Sequence, residues 1–441
     1  MSLARRLLSQ STIIFGGRLF GAGLIFLVQA FIARFWGAAI LGEYLIIMAV
    51  VNLVSTVMPL GFQTVSTYFA AEYRARGDRR QFTAFLMRSY AHVALMFVIL
   101  CLAGPLALEL FGLGGSSLAQ HFMPVALLGL AAAVVYVSGN VLIGIKRPYA
   151  GLFADGVFRP MMMMTLFFAC ALTIAEPQQS FGTMLWAVAF GYLAIAVGHF
   201  TILMLSLSRV EDTAPARPAE VSRWWRFATP WVLITIATDY FFDIDLLLLA
   251  TILEPEELAI FGVCTRIFAL VSFGVSAVYF VTFPDMFESE AKADRQAFHR
   301  KVGEANLAAS VVSIGLFIIV AAGAPFALSI FGPSFTSGAV PMAILCLALV
   351  VRALLGPASM VLSIHDRPWS SLPAVALGMV TLVIGNWLLV PSLHLTGAAL
   401  AALIAITVWS IGLWLIALRL AKIDVSILQW LRSRRAAVPA E

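Results

Sequence analysis

Nine charged side chains stand inside long apolar runs: Arg18, Arg34, Arg159, Arg266 and Arg352, with Asp155, Asp239, Asp243 and Asp245. An arginine at the centre of a membrane helix costs on the order of 3 kcal/mol on insertion scales, so each needs an acid, a wet cavity or an anionic ligand. A guanidinium in a wet cavity suits phosphate or pyrophosphate, which it grips through two parallel charge-assisted bonds. Arg18 and Arg352 have no acid within one helical turn and are candidates for that contact. The competing reading is packing, or a cross-helix pair with an aspartate. Gly16, Gly17, Gly21 and Gly23 surround Arg18 and permit close helix approach, while Gly356 and Pro357 follow Arg352 by one turn.

The other charges have simpler outlets. Asp155 and Arg159 are four apart and can neutralise each other on one helix, so Arg159 is either structural or a further anion contact. Asp245 and Arg266 flank the acidic turn Glu254–Glu257 at equal depth. That allows an ion pair locking the hairpin and leaves Arg266 as another anion-binding candidate. Arg34 lies near the outer end of its run and can snorkel to water.

Asp239 and Asp243 share one helical stripe, and a buried carboxylate able to be charged or protonated is what proton or sodium coupling requires. Asn386, Thr238 and Thr407 are candidates to complete an oxygen shell for sodium; ion pairing of the two acids with Arg18 or Arg352 is the rival use. No resident cofactor is expected, only a coupling proton or sodium ion. His92 and His199 read as satisfied core histidines, and Met161–Met164 as adaptable packing. No HExxH, P-loop, GxGxxG or triad spacing occurs.

These side chains are carried by an all-α polytopic membrane protein. Of 441 residues, 61% are hydrophobic and 12% charged, and the mean hydropathy is +0.97. Such a chain cannot hide its apolar surface from water by folding on itself. The four cysteines all lie in apolar runs, which argues against disulfides and a zinc site. Arg5 and Arg6 precede a run without a small-residue cleavage site, which reads as a retained first span.

Twelve runs are long enough to cross a bilayer. With the N-terminus inside, 23 of the 28 basic residues fall in inner segments and none in the outer loops. This positive-inside pattern places both termini in the cytoplasm and removes nucleic acid as a partner. The outer loops are short, so no external catalytic domain is expected.

The halves repeat. Ala103–Gly112 and Gly323–Gly332 match at Pro, Ala, Leu, Phe and Gly at an offset of 220, and 35 residues beyond each closing glycine stand Arg147-Pro148 and Arg367-Pro368. Glu72, Arg76 and Asp78 recur more weakly as Glu288, Lys292 and Asp294. Six spans separate the copies, so they cross in one direction, the parallel repeat of a carrier. The expected divisions are an N-terminal six-helix lobe over 1–208, a cytoplasmic linker and hinge over 209–223, and a C-terminal six-helix lobe over 224–420. A cytoplasmic amphipathic tail over 421–441 should rest on anionic lipid.

The sequence resembles the polysaccharide flippases of the multidrug/oligosaccharidyl-lipid/polysaccharide exporter superfamily. The likeness rests on Gly37, Gly42-Glu43-Tyr44 and the Glu72–Asp78 cap, then on Ile330-Phe331-Gly332-Pro333-Ser334-Phe335, Pro341, Gly356 and Arg367-Pro368. The resemblance implies twelve helices in two pseudo-symmetric six-helix lobes around a central cavity that opens alternately to either side. Related lipid-linked cell-wall precursor flippases line that cavity with arginines for pyrophosphate, a role Arg18, Arg266 and Arg352 could match.

The expected function is translocation of undecaprenyl-pyrophosphate-linked oligosaccharide across the bacterial inner membrane for exopolysaccharide or O-antigen assembly. Its partners would be the lipid-linked oligosaccharide, membrane lipids and other polysaccharide assembly proteins. A cation-coupled multidrug exporter is the alternative, and an integral-membrane polymerase or glycosyltransferase a lesser one.

Overall fold

The computed structural model describes residues 3–208, 212, 213, 215, 218–291, 295–364, 368–430 and 432. Arg209, Arg217, Lys292, Asp294, Arg367, Leu431, Arg434 and Arg435, on which parts of the linker, repeat and tail readings rest, lie outside the described residues. Among those described, the chain is helical throughout. In order, α1 is Leu3–Phe35, α2 Ala38–Val57, α3 Phe62–Arg76, α4 Arg79–Leu110, α5 Ser117–Gln120, α6 Phe122–Gly144 and α7 Pro148–Phe153. A π-helical turn, Ala154–Phe158, joins α7 to α8, Arg159–Thr173, and α9 is Pro177–Leu207. Then come α10 Val221–Asp239, α11 Phe241–Leu249, α12 Pro255–Ala291, α13 Arg295–Ser329, α14 Ala339–Leu355, α15 Ala358–Ile364 and α16 Leu372–Ile416.

Among the described residues ten segments are long and apolar enough to span a membrane, and two local features account for the difference from the expected twelve. The seventh run breaks at Tyr240 into α10 and α11, so neither piece qualifies alone. Runs eleven and twelve merge into α16, but His394 at its middle has φ 48° and ψ −128°, which no helix contains. The chain is a multi-pass membrane protein.

The repeat is visible in the backbone. Pro105 lies inside α4 and Pro325 inside α13. Each helix is closed by a glycine of positive φ, Gly112 at 72° and Gly332 at 148°.

Two compact units form, Met1–Asp243 and Ile244–Glu441. Aromatic packing builds the core of the first: Phe62, Phe69, Phe82 and Phe85 are fully buried with Tyr73 and Trp224. The start of the seventh run belongs to it, because α10 packs on α3 and α2.

The described part of the linker, where the sequence suggests a hinge, is bonded to the first unit. Thr213 N–H donates to the Gly77 carbonyl at 2.9 Å, and the Gln81 side chain donates to the Pro218 carbonyl at 2.7 Å. Arg223 forks onto Glu72 at 2.9 and 2.8 Å, reaches Glu220 at 2.6 Å and lies over the Phe69 ring. The bond from Arg223 holds the Glu220 carboxyl below the usual carboxylate range.

The described tail also departs from a helix lying on lipid. Ile423, Val425 and Ser426 are buried in the second unit, where Ile427 N–H donates to the Leu354 carbonyl at 2.9 Å. Gly356 has φ 83°, and a Cβ on it would stand 1.8 Å from the Val425 carbonyl oxygen, so glycine is required where the tail crosses the end of α14. Asp424 accepts from Trp414 at 2.9 Å and from the Ser426 hydroxyl at 2.7 Å, and pairs with Arg432 at 2.9 Å. Burial pushes this carboxyl up, and those partners outweigh it, leaving it below the ordinary range.

Asn306, fully buried on α13, pins the junction by donating to the carbonyls of Val425 at 3.0 Å and Leu354 at 3.3 Å while accepting from Tyr279 at 3.0 Å. Asn306→Ala should destabilise the protein by about 1–3 kcal/mol through the Val425 carbonyl it orphans and the lost bond from the Tyr279 hydroxyl and speed tryptic cleavage at Arg432. Unchanged cleavage kinetics would show that the tail is held by something else.

Candidate functional sites in each unit

Small residues let three helical segments of the first unit meet backbone to backbone. A Cβ on Gly21 of α1 would fall 1.8 Å from the Gly156 carbonyl oxygen in the π-helical turn. A Cβ on Gly139 of α6 would lie 2.6 Å from the Gly151 carbonyl oxygen of α7. These two crossings enclose a cavity of about 170 Å³ lined by Arg18, Tyr136, Asn140, Asp155 and Gly156 among others. Arg18, one turn before Gly21, packs its stem over Gly156 and makes no ion pair with a described residue. The sequence-level glycine cluster therefore does place this arginine at a polar recess.

Arg159 does not share that availability. It is buried, donates to Asp155 Oδ1 at 2.8 Å and lies over the Tyr192 ring at 5.2 Å, while Tyr192 donates to the same oxygen at 2.8 Å. Of the two uses open to Arg159, the structural one is what the geometry supports. The π-helical turn offsets Asp155 from a regular helical register, a distortion that recurs at functional sites.

In the second unit a cavity of about 350 Å³ opens where α14 ends at Gly356-Pro357. Arg352 on α14 lines it with Ser276 and Tyr279 of α12 and Ser410 of α16, and its guanidinium lies 5.8 Å from the centre of the Trp409 ring. Stacking on indole stabilises a cation without consuming its hydrogen-bond donors on a carboxylate. Arg266, half-buried on α12, lines neither cavity.

The acids sort differently from the expected set. Asp239 ends α10 and Asp243 lies in α11, so the break at Tyr240 interrupts the helical stripe they were to share. Asp239 is exposed beside Thr238 at 3.0 Å, and Asp243 is buried and accepts from Asn52 at 3.3 Å.

Asn386 is committed within the second unit to Asp245, donating to its Oδ1 at 2.7 Å. Asp245 thus bonds to Asn386 in place of the expected Arg266. Both residues are essentially fully buried, and Asp245 Oδ2 and Asn386 Oδ1 have no hydrogen-bond partner. Two orphaned oxygens beside one bond are satisfied by a proton on the acid or by a small cation. Asp245 as the partner of Asn386 was missed because 141 residues separate them and no motif joins them. No group of three or more His, Cys, Asp or Glu poised for a metal occurs among the described residues.

No family model matches the sequence, and no curated protein matches it. Solved structures do. An inward-facing multidrug resistance MATE family transporter of the MOP superfamily aligns over 95% of this chain and 97% of its own, with TM-score 0.68 and 14% identity. The lipid II flippase MurJ in an inward closed conformation aligns over 98% and 94%, with TM-score 0.69 and 12% identity. An outward-facing MATE family transporter of the MOP superfamily aligns over 95% and 93%, with TM-score 0.61 and 13% identity. The likeness is one of fold: this chain folds like the MATE family transporters and MurJ in those structures.

The Gly21 crossing is directly testable. Gly21→Val must push α1 off the π-helical turn, which should lower the melting temperature and change the rate at which Arg18 reacts with phenylglyoxal. A variant melting and reacting like the parent would mean that this contact does not shape the recess.

Proposed function

We propose that the chain is an inner-membrane flippase for undecaprenyl-pyrophosphate-linked oligosaccharide repeat units, with both termini cytoplasmic, serving exopolysaccharide or O-antigen assembly. The observation that carries this reading is Arg18: an arginine inside an apolar span, with no ion pair to a described residue, at the edge of a polar recess. Arg18 is exposed, and a cation retained in an apolar span is best accounted for by an anionic ligand. Arg352, with its guanidinium over the Trp409 ring at the larger cavity of the other unit, is a second candidate contact.

In this mechanism the arginines capture the pyrophosphate from the cytoplasmic leaflet while the lipid tail stays in the bilayer. Alternating exposure of the two faces then releases the glycan outside. Other polysaccharide assembly proteins would supply and consume the lipid-linked unit. Coupling, by proton or sodium, belongs at Asp245–Asn386, whose orphaned oxygens need such an occupant.

A cation-coupled drug exporter is the second reading, favoured by the similar TM-scores of MATE transporters and MurJ. It would call for cavities dominated by acids; Asp155 borders the smaller one, but Arg18 and Arg159 outweigh it in formal charge, which favours an anion.

With full-length protein in liposomes and an undecaprenyl-pyrophosphate-linked trisaccharide as probe, Arg18→Glu and Arg352→Glu should each slow translocation at least tenfold while melting like the parent. Parental rates in both variants would remove the arginines from the mechanism. Asp245→Asn should abolish any dependence of translocation on a proton or sodium gradient and leave lipid binding intact. A variant that still responds to the gradient would move coupling elsewhere.

A further inference from the structure

The recess at Arg18 contains an acid as well as a base, and a site for pyrophosphate alone has no use for one. Asp155 lines the same cavity, and its side chain is 38% exposed. Its two oxygens are used unequally. Oδ1 accepts from both Arg159 and Tyr192, each at 2.8 Å, which locks the carboxylate in orientation. Oδ2 accepts from no described residue. Asn140, on the same cavity, donates to the Tyr136 carbonyl at 3.1 Å, which leaves one of its two amide hydrogens for another acceptor.

The recess therefore presents, within one small volume, an exposed guanidinium, a fixed carboxylate oxygen and a spare amide. Its formal charges, Arg18 and Arg159 against Asp155, sum to a cation. An ammonium group is disfavoured there, and a neutral hydroxyl donor next to an anion is favoured. At about 170 Å³ the cavity is also smaller than the roughly 300–1,000 Å³ pockets that take drug-sized ligands.

We propose that this recess reads the junction between the phosphate and the first sugar, with Arg18 on the phosphate and Asp155 Oδ2 and Asn140 on the hydroxyls of the attached ring. The inference rests on the flippase reading and adds a specificity residue to it. Asp155 makes the carrier prefer a glycosylated polyprenyl pyrophosphate over the bare lipid that remains once the sugar has been removed. Carrying the bare lipid back would waste a cycle, and a fixed carboxylate close to a bare terminal phosphate repels it.

The test compares binding of undecaprenyl pyrophosphate with and without one attached sugar to full-length protein in nanodiscs. The parent should prefer the glycosylated lipid at least tenfold. Asp155→Asn should erase most of that preference by strengthening binding of the bare lipid. Asn140→Ala, which leaves the Asp155–Arg159 pair intact and guards against a folding defect in the first variant, should weaken only the glycosylated lipid.

Equal binding of the two lipids by the parent, or an unchanged preference in folded Asp155→Asn or Asn140→Ala protein, would overturn the role of Asp155 and leave the flippase reading standing. Failure of the parent to bind either lipid would bring down the flippase reading and this inference with it.

Discussion

A guanidinium in hydrocarbon must be answered by an acid, by water or by a ligand, and the two units of this protein answer it in different ways. Arg159 is neutralised within one turn by Asp155 and covered by Tyr192, so its charge is spent on structure. Arg352 is braced by an indole ring. Arg18 makes neither kind of contact with a described residue and borders a recess shaped by glycine crossings. The gradation matters because a buried salt bridge is weak evidence of function, whereas a cation left at a cavity edge asks for something to fill it.

The backbone prepares these positions. Close approach at Gly21–Gly156 and Gly139–Gly151 leaves room for side chains beside the crossings, and the π-helical turn re-aims Asp155. In the second unit, the end of α14 at Gly356 is held by the buried tail and by Asn306, so the floor of the larger cavity is tied to the C-terminal segment. The described part of the linker is bonded to the first unit, and the seventh run breaks at Tyr240.

Hydropathy and loop charge made the membrane class, the span count and the repeat readable, because each depends on composition over twenty residues or more. The proline inside α4 and α13 and the positive-φ glycine after each could be aligned for the same reason: their offset is constant. The helical i,i+4 rule found Asp155–Arg159 correctly, and failed for Asp239 and Asp243 because the helix breaks between them. Pairings between distant spans were out of reach. Nothing local marks Asp245 as the partner of Asn386, Tyr192 as a second donor to Asp155, or the tail as a buried strand of contacts under α14.

The measurement closest to the central claim is native mass spectrometry of the full-length protein in nanodiscs that contain undecaprenyl pyrophosphate among zwitterionic lipids. Selective retention of the anionic lipid is expected, weakened by rising ionic strength and displaced by inorganic pyrophosphate. Retention no greater than that of the bulk lipids, or binding indifferent to both salt and pyrophosphate, would contradict the view that these arginines are kept in the membrane to hold an anion.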